Sequence, residues 1–551
     1  MTSTTYDEYQ PTLRNRTEWT LPNIVALRAK THRDSIYLDV PGDNLRYTYG
    51  EVHDLAVAIG SGLLMRGHEK GDRVVIMLPN RAEYILGWLG TGMAGIAEVP
   101  INTAYRGSFF EHQVRTVAPT GAIVHDSFAE RFIESSEACT SIHHVYVVSD
   151  DMVQEAETIA KLSAVGYKVE PFRNLLASPS VELPEVMARD LASVFFTSGT
   201  TGLSKGVTMT HAHMVFEADE CISLTRLTDA DTYLSVGPLF HGNAQFLAAY
   251  PALLAGARFV LRERFSASRW AGWISDSGAT VTNFVGVMMD FVWKQPPAPN
   301  DRDNNLRCIF AAPTASSIVD GFKERFGVET FVEVFGLTET SMPLMTPYGV
   351  KRPPGAVGKV VADWFDVRLV DPETDEEVPV GELGELVVRP IFPFTMTVGY
   401  FGMPDRTVEA LRNCWFHTGD GLRRDADGWF YFVDRLKDAL RRRGENISSY
   451  EVEQALLQHP AVAECAVVAV PADQEAGEDE VMAIVVRAAG SELDPEEFWH
   501  FCDRRLPYFA VPRYLRYLDA LPKTPSEKVQ KGSLRAMGVD STVHDRNLIP
   551  S

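Results

Sequence analysis

The stretch on which the fold depends is Thr197-Ser198-Gly199-Thr200-Thr201-Gly202-Leu203-Ser204-Lys205-Gly206, directly after the apolar run 191–196. Its three glycines, five hydroxyl side chains and one lysine can form a tight turn that aims backbone N–H groups and small donors at an anion. A Walker loop is excluded, because here the lysine lies three residues beyond Gly202. The pattern indicates a different phosphate-binding loop, with a Ser/Thr/Gly-rich surface turn as the alternative.

The composition is typical of a globular protein with large cores. The chain has 551 residues, of which 45% are hydrophobic and 23% charged, so at least two domains are expected. Its net charge of -22 argues against a nucleic-acid binder or an anionic-membrane binder, since both surfaces would repel the chain. Anionic ligands therefore need local positive sites.

Three features favour a cytoplasmic protein. The six cysteines are scattered without a Cys-x2-Cys pair, which indicates reduced thiols rather than disulfides or a zinc site. The first residues lack the basic and apolar parts of a signal peptide. The longest apolar run, 84–101, is interrupted by glycines, Glu98 and Pro100, so no integral membrane segment is expected.

Helices and strands alternate along the first part of the chain. Apolar spacing predicts a helix over about 52–64, a strand at 73–78, a helix at 81–94 and a strand at 98–101. This order is typical of parallel crossover units and predicts an α/β fold. Strand-like runs that end in polar turns recur further on, including one from 331 to 337 that would present Thr338 and Glu339.

The composition changes twice in the second half. From Gly355 to Gly428 the chain is β-rich and predicts a distorted barrel. Near 434–443 a basic run, usually a solvated face, marks a domain boundary. We therefore predict domains at 1–436 and 437–551, the second a small α+β module.

Further motifs follow the loop in a fixed order. They are Phe335-Gly336-Leu337-Thr338-Glu339, Trp415-Phe416-His417-Thr418-Gly419-Asp420, Asp434-Arg435-Leu436-Lys437-Asp438 and the terminal Leu521-Pro522-Lys523-Thr524-Pro525-Ser526-Glu527-Lys528-Val529-Gln530-Lys531. Together they resemble the adenylate-forming superfamily, which includes acyl-CoA synthetases, firefly luciferase and peptide synthetase adenylation domains. The resemblance covers roughly Thr20 to Gly538. Within the superfamily, the sequence weakly resembles the carnitine/crotonobetaine:CoA ligases.

The resemblance implies an ATP-dependent, AMP-forming carboxylic acid:CoA ligase, of the kind that serves fatty acid metabolism. A carboxylate attacks the α-phosphorus of ATP, pyrophosphate leaves, and the thiol of CoA then takes the acyl group. It also implies a large N-terminal domain of parallel sheets with a distorted barrel, and a mobile C-terminal domain that turns about a hinge at Lys437. Backbone N–H groups, hydroxyls, a cation and Mg²⁺ would stabilise the phosphate charge.

The resemblance also assigns roles to single residues. Lys528, Thr201, Glu339 and His241 are the predicted catalytic residues, with Thr201 and Glu339 on Mg²⁺ and His241 as a gate at the acyl pocket. The predicted contacts with ATP or CoA are Thr197, Ser198, Gly199, Thr200, Thr201, Gly202, Lys205, Ala312, Pro313, Phe335, Gly336, Thr338, Asp420, Arg435, Lys437, Gly444 and Lys528.

Two positions depart from the superfamily pattern. Phe335 replaces the usual tyrosine, which keeps a ring to stack on adenine but loses the hydroxyl. Glu527 replaces a glycine beside Lys528 and restricts that backbone. The predicted acyl pocket is apolar and predicts an acid with an apolar tail; its wall is formed by Val285, Gly286, Val287, Met288, Phe310, Ala311 and Met342.

Two other functions stay open at this point. The chain could load a carrier-protein thiol instead of CoA, although no carrier module follows the lysine tail, and it could be a catalytically idle nucleotide-binding module. The expected partners are a small carboxylic acid, ATP and CoA, without nucleic acid, and a homodimer is left open.

Overall fold

The computed structural model describes residues 11–197, 204–285, 287–312, 318–436, 440–442, 445–447, 449–471, 479–506, 508, 510–524 and 528–548. These residues form two compact units. Unit 1 comprises the described residues of 11–197, 204–367 and 388–416, and unit 2 those of 368–387 and 417–548.

The strands are β1 (Ile36–Val40), β2 (Leu45–Thr48), β3 (Arg73–Met77), β4 (Ala97–Pro100), β5 (Gly121–His125), β6 (His144–Val148), β7 (Lys168–Pro171), β8 (Leu191–Thr197), β9 (Lys205–Thr210), β10 (Thr232–Ser235), β11 (Arg258–Leu261), β12 (Val281–Val285), β13 (Cys308–Ala312), β14 (Thr330–Val332), β15 (Val334–Leu337), β16 (Ser341–Met345), β17 (Ala356–Val360), β18 (Phe365–Val370), β19 (Gly384–Pro390), β20 (Phe416–Arg424), β21 (Phe430–Arg435), β22 (Leu440–Arg442), β23 (Glu445–Ile447), β24 (Val462–Pro471), β25 (Asp479–Arg487), β26 (Tyr514–Tyr517) and β27 (His544–Asp545).

The α-helices are α1 (Leu21–Thr31), α2 (Tyr49–Met65), α3 (Ala82–Met93), α4 (Gly107–Val117), α5 (Ala129–Glu134), α6 (Met152–Ala164), α7 (Arg173–Leu176), α8 (His211–Thr225), α9 (Gly242–Ala244), α10 (Tyr250–Ala255), α11 (Ala267–Ser277), α12 (Val287–Trp293), α13 (Val319–Phe326), α14 (Pro404–Ala410), α15 (Ser449–Leu456), α16 (Pro495–Asp503) and α17 (Lys531–Ala536). Short 3-10 turns cover 16–18, 126–128, 412–414 and 546–548, and a π-helical turn covers 245–249. No described helix is long and apolar enough to span a bilayer.

Two seven-stranded sheets form most of unit 1. The first has the order β7-β6-β5-β3-β4-β8-β9, parallel except for the edge strand β9, and the second has the order β14-β13-β12-β10-β11-β1-β2, parallel except for β2. Their central strands are apolar and buried because helices cover both faces, as in β3 and β5. The predicted α/β fold is confirmed, and β3, β4, α2 and α3 lie within a few residues of the predicted positions.

Helix α8 follows β9 directly and lies in the interior of unit 1. Thr210 is the N-cap of this helix, because the Thr210 hydroxyl accepts a hydrogen bond from the His213 N–H at 3.1 Å. Every residue of the helix is buried, although it carries two histidines and three carboxylates. It packs against strands of both large sheets and against β16, so polar side chains are placed in the core.

The single strand predicted over 331–337 is wrong. The structure divides it at Glu333 into β14, which pairs with β13 in the second sheet, and β15, which pairs antiparallel with β16. The Glu333 carboxylate lies 2.9 Å from the Arg352 guanidinium, and the Glu333 carbonyl accepts from Thr346 N–H. This break turns the chain out of the parallel sheet, so that Thr338 and Glu339 lie in the turn between β15 and β16.

Unit 2 is built around a second core. Strands β24, β25, β26 and β27 form one sheet, and α15 and α17 pack against β24. Val467, Val485 and Phe498 are fully buried in that core. Strand β20 pairs antiparallel with β21 in the same unit. The module predicted beyond residue 437 therefore has the expected α+β character, while the boundary itself stays a prediction.

Candidate active site

The predicted phosphate loop is bracketed by paired strands. Thr197 ends β8, Lys205 begins β9, and the two residues are register partners across the hairpin. The Lys205 ammonium lies 4.2 Å from the centroid of the Tyr400 ring, a cation–π contact. The hairpin therefore fixes both ends of the loop and brings its lysine to Tyr400.

Tyr400 also holds the predicted metal ligand. The Tyr400 hydroxyl donates a hydrogen bond to Glu339 Oε1 at 3.0 Å, and Glu339 is only 7% exposed. The Glu339 carbonyl accepts from the Thr397 N–H at 2.9 Å, three residues before Tyr400. One tyrosine thus joins Lys205 to Glu339, two residues that lie 134 positions apart.

The turn that carries Glu339 needs a glycine at its start. A Cβ on Gly336 would lie 2.2 Å from the Ser341 carbonyl oxygen, so any other residue would force the turn apart. Ser341 itself has a φ of 54°, in the left-handed region. Phe335 and Thr338 flank this site, both partly exposed, as ligand contacts require.

Two other predicted residues lie at the ends of strands and turns in unit 1. Ala312 ends β13, where it pairs with Val285 of β12. His241 is partly exposed, and its carbonyl accepts from Ala244 N–H at 3.1 Å just before the π-helical turn 245–249. The Phe240 and His241 rings lie 4.9 Å apart.

In unit 2 the predicted ribose contacts are bound to each other. Arg435 Nε lies 2.9 Å from Asp420 Oδ1, and the two residues are register partners across β20 and β21. Asp420 is 2% exposed and Arg435 is far more open. Arg435 therefore orients the carboxylate of Asp420 before any ligand is present.

Glu385 forms two hydrogen bonds with strand β20, which carries Asp420. One of its oxygens accepts from Gly419 N–H at 3.0 Å, and the other lies 2.9 Å from His417 Nδ1. Both bonds fix the part of β20 that carries Asp420. Sequence reasoning missed Glu385, because only the strand around it could be recognised from the pattern.

Lys528 lies in a short closed turn. Its N–H donates to Thr524 Oγ1 at 3.2 Å, and its carbonyl accepts from Thr524 N–H at 2.7 Å. Lys523 and Val529 form a β-bridge across the base of this turn. Residue 528 is exposed, so the backbone of the turn is fixed while the residue itself lies at the surface.

Lys531, three residues further on, has the opposite environment. Its ammonium lies 2.8 Å from Glu453 Oε1 and donates to the Ser449 hydroxyl. Ser449 N–H in turn donates to Asp434 Oδ2 at 2.9 Å, next to Arg435. Burial raises the pKa of Glu453, although Lys531 opposes that shift. Sequence analysis named Lys531 only as the last residue of the terminal motif and missed this buried network.

Several predicted residues lie outside the described part of the chain. These are Ser198, Gly199, Thr200, Thr201, Gly202, Pro313, Lys437 and Gly444. Their assigned roles stay predictions. Thr197, Lys205, His241, Ala312, Phe335, Gly336, Thr338 and Glu339 belong to unit 1, whereas Asp420, Arg435 and Lys528 belong to unit 2.

The donor set at Glu339 suits Mg²⁺. Carboxylate oxygen is the ligand that this hard ion prefers, and Mg²⁺ usually takes only one or two protein carboxylates and completes its shell with water and phosphate. Among the described residues no group of three His, Cys, Asp or Glu side chains could hold a metal. The single carboxylate of Glu339 is compatible with an ion of this kind, and its role stays a prediction.

Comparison with known proteins covers both units. Residues 25–401 match the family described as AMP-binding enzyme, and residues 451–528 match the AMP-binding enzyme C-terminal domain. Crotonobetaine/carnitine–CoA ligase of Salmonella paratyphi A is 32% identical over 477 residues, which cover 85% of this chain and 89% of that protein. The Salmonella typhimurium protein of the same name is 32% identical over 480 residues, with the same coverage.

Solved structures agree in fold. Anthranilate CoA ligase AuaEII in complex with anthranoyl-AMP has a TM-score of 0.83 and 24% identity, covering 94% of this chain and 97% of its own. ATP-bound MatB from Rhodopseudomonas palustris has a TM-score of 0.79 and 25% identity, covering 94% and 98%. These matches confirm the predicted fold and the predicted class of enzyme, an AMP-forming acyl-CoA ligase. The chain therefore belongs to the AMP-binding enzymes, in the acyl-CoA ligase branch of the adenylate-forming superfamily that its motifs resemble.

Proposed function

We propose that this enzyme joins a small carboxylic acid to CoA in two steps. In the first, a carboxylate oxygen attacks the α-phosphorus of ATP and the bond to pyrophosphate breaks, giving an acyl-adenylate. In the second, the CoA sulfur attacks the acyl carbon, the thiol proton goes to solvent, and AMP leaves. The observation that carries this proposal is the contact of Tyr400 with both Lys205 and Glu339, which places a cation and an acid beside one another at the loop.

The charged side chains divide the work of the first step. Lys205 and the loop Thr197–Gly202 would bind the β- and γ-phosphates, and Glu339 with Thr201 would hold Mg²⁺, which neutralises phosphate charge when bound. Asp420 presents acceptor oxygens for the ribose hydroxyls, with Arg435 beside it. Lys528 would lie between the carboxylate and the α-phosphate, and Phe335 would stack on adenine.

The second step calls for a rearrangement, which we also propose. A backbone rotation at Lys437 would replace Lys528 at the site by Gly444, whose lack of a side chain leaves space for pantetheine. Lys437→Pro should block this rotation, since proline fixes φ. The variant should make acyl-adenylate and fail to transfer the acyl group to CoA.

Loading of a carrier protein remains the second candidate function. The matched relatives are named as CoA ligases, which favours free CoA as the acceptor. Their named acids differ, from crotonobetaine and carnitine to anthranilate, so the acid must be set by this chain's own pocket.

Two assays test these functions. Acid-dependent exchange of radiolabelled pyrophosphate into ATP, run over a panel of acids, measures the first step. No exchange with any acid would leave an idle nucleotide-binding module. AMP release is then measured with and without CoA: stimulation by free CoA supports the ligase, whereas stimulation only by a phosphopantetheinylated carrier protein would overturn it.

We propose the cytoplasm as its compartment. All six cysteines are free, and five of them are buried, as expected in a reducing environment. A homodimer stays a prediction that light scattering can test.

A further inference from the structure

Three titratable side chains share one face of the buried helix α8. His213, Glu217 and Glu220 recur at intervals of four and three residues, which places them one above another on the same side of a helix. His213 and Glu220 are 0% exposed and Glu217 is 7% exposed. We call this set the acidic face of α8.

The acidic face has almost no hydrogen-bond partners. Within the described chain, both ring nitrogens of His213, Glu217 Oε2 and Glu220 Oε1 are enclosed without one. Glu220 Oε2 accepts one hydrogen bond, from the Met342 N–H at 3.3 Å. Buried polar groups are normally satisfied, so a set of three that is not satisfied calls for an explanation.

Among the described residues, no cationic side chain affects the pKa of these carboxyl groups. Burial raises the pKa of Glu217 to about 8 and raises that of Glu220 well above its ordinary value, and no arginine or lysine lowers either one. Burial lowers the pKa of His213 to about 3, so it is neutral. The other carboxylate near Glu220 is Asp219, which accepts hydrogen bonds from Thr12. The cluster is thus short of positive charge.

The surroundings of α8 connect the acidic face with the proposed acyl pocket. The helix packs against β13, β16 and the π-helical turn 245–249. Those elements include Ala311 and Met342 of the predicted pocket wall and follow His241, the predicted gate. Every residue of α8 is buried, and 7% of the surface of Glu217 is exposed.

We propose that the acidic face of α8 binds the positively charged end of the acid substrate, so that the enzyme selects carboxylic acids with an ammonium group at their far end. This inference rests on the proposed function, because it concerns the acid that is adenylated. Binding of the cation would ionise a carboxyl group of the face, whose proton goes to solvent, and would supply the missing charge partner.

Other tails fit this face less well. An apolar tail would leave Glu217 and Glu220 without partners, and a second carboxylate would meet two acids and no positive charge, since His213 is neutral. The apolar tail predicted from the sequence rested on the pocket wall named above, and none of those residues lies in α8. In the structure this helix packs against β13 and β16, which carry part of that wall, and the proposal therefore changes the substrate class that we expect.

Matched pairs of acids test the proposal, because a trimethylammonium group and a tert-butyl group have nearly the same shape. The charged acids are 3-(trimethylammonio)propionate, 4-(trimethylammonio)butyrate and 5-(trimethylammonio)valerate. Their neutral isosteres are 4,4-dimethylpentanoate, 5,5-dimethylhexanoate and 6,6-dimethylheptanoate. We expect kcat/KM for CoA-dependent AMP formation to be at least tenfold higher for the charged member of the best pair.

Substitutions in the acidic face then test whether these residues cause the preference for charged acids. Glu217→Gln and Glu220→Gln keep the shape of the side chain and should lower the charged-to-neutral ratio at least tenfold, mainly by raising KM for the charged acid. Glu157→Gln changes an exposed glutamate on α6 and should leave the ratio as it is. Turnover of the neutral acids by each variant shows that it is folded.

The outcomes are distinguishable. A ratio near one in the wild type, a preference for the neutral acids, or a ratio that neither Gln variant changes would each overturn the proposal. Activity on neutral acids with none on any charged acid would do so as well, while the proposed function would stand. Absence of AMP formation with every acid tested would instead contradict the proposed function.

Discussion

The turns that carry Glu339 and Lys528 hold their predicted catalytic groups in opposite ways. In unit 1 the Glu339 side chain is 7% exposed and its carboxylate is fixed by the Tyr400 hydroxyl. In unit 2 the backbone of the Lys528 turn is fixed by Thr524, and residue 528 is exposed. One predicted catalytic group is therefore enclosed and oriented by a side chain, and the other lies on an exposed turn.

This difference matches the two tasks. A group that binds metal and phosphate throughout the first step gains from preorganisation, because no reorganisation is needed when charge develops. Lys528, by contrast, is proposed to act in adenylation only and then to move away from the site. A fixed side chain would hinder that movement. We therefore expect changes at Glu339 to affect ligand binding as well as rate, and changes at Lys528 to affect the rate of one step.

The largest effect is expected from Lys528→Ala. Loss of the ammonium that stabilises the carboxylate and α-phosphate should slow adenylation by about 10³-fold, the scale for removal of one group that stabilises charge in the transition state. Transfer to CoA from added acyl-adenylate should change less than about threefold on the same scale. Pyrophosphate exchange and thioester formation are measured separately, with the exposed Lys161→Ala as a control. Equal loss of both steps would mean that Lys528 is structural.

Glu339→Gln should have the next largest effect. It removes a negative oxygen ligand of Mg²⁺, so adenylation should fall about 10²-fold and the Mg²⁺ concentration for half-maximal rate should rise. A Mg²⁺ titration of the exchange rate measures both. Glu329→Gln, at an exposed position in the same unit, should behave like the wild type. An unchanged Mg²⁺ requirement would contradict the assignment of Glu339.

Two variants of Tyr400 distinguish its contact with Glu339 from its contact with Lys205. Tyr400→Phe removes the hydrogen bond to Glu339 and keeps the ring beneath Lys205, so adenylation should fall only about tenfold, as expected for one bond to a charged group. Tyr400→Leu removes both contacts and should cost more. The comparison is made by exchange rates at saturating ATP. Identical rates for the two variants would mean that the ring makes no contribution through Lys205.

Local sequence was enough for some of these elements. Strands β3 and β5 and helix α3 are continuous apolar runs bounded by turn residues, so their positions follow from neighbours in the chain. Thr338 and Glu339 were predicted at a turn for the same reason. The break at Glu333 was not predictable, because it depends on pairing with Arg352 and Thr346.

Contacts between distant segments were the part that the sequence did not reveal. Tyr400 bonds to a residue 61 positions away, and nothing in its own neighbourhood indicates that contact. The polar residues of α8 are typical of a surface helix, yet the whole helix is buried. Lys531 resembled its neighbour Lys528 in sequence and differs from it completely in environment.

Lys531→Met gives the smallest effect on activity and the clearest structural test of the contrast. It leaves Glu453 without its cation at a site where burial already raises the pKa of that carboxyl, so the free energy of unfolding of unit 2 should fall by about 2 kcal/mol. The rate of adenylation should fall only a few-fold, since Lys531 anchors the end of the turn and Lys528 is unchanged. Urea unfolding followed by tryptophan fluorescence measures the first quantity. In the double variant with Glu453→Gln no charge is left unpaired, so much of the lost stability should return, and strictly additive losses would mean that the two residues do not interact.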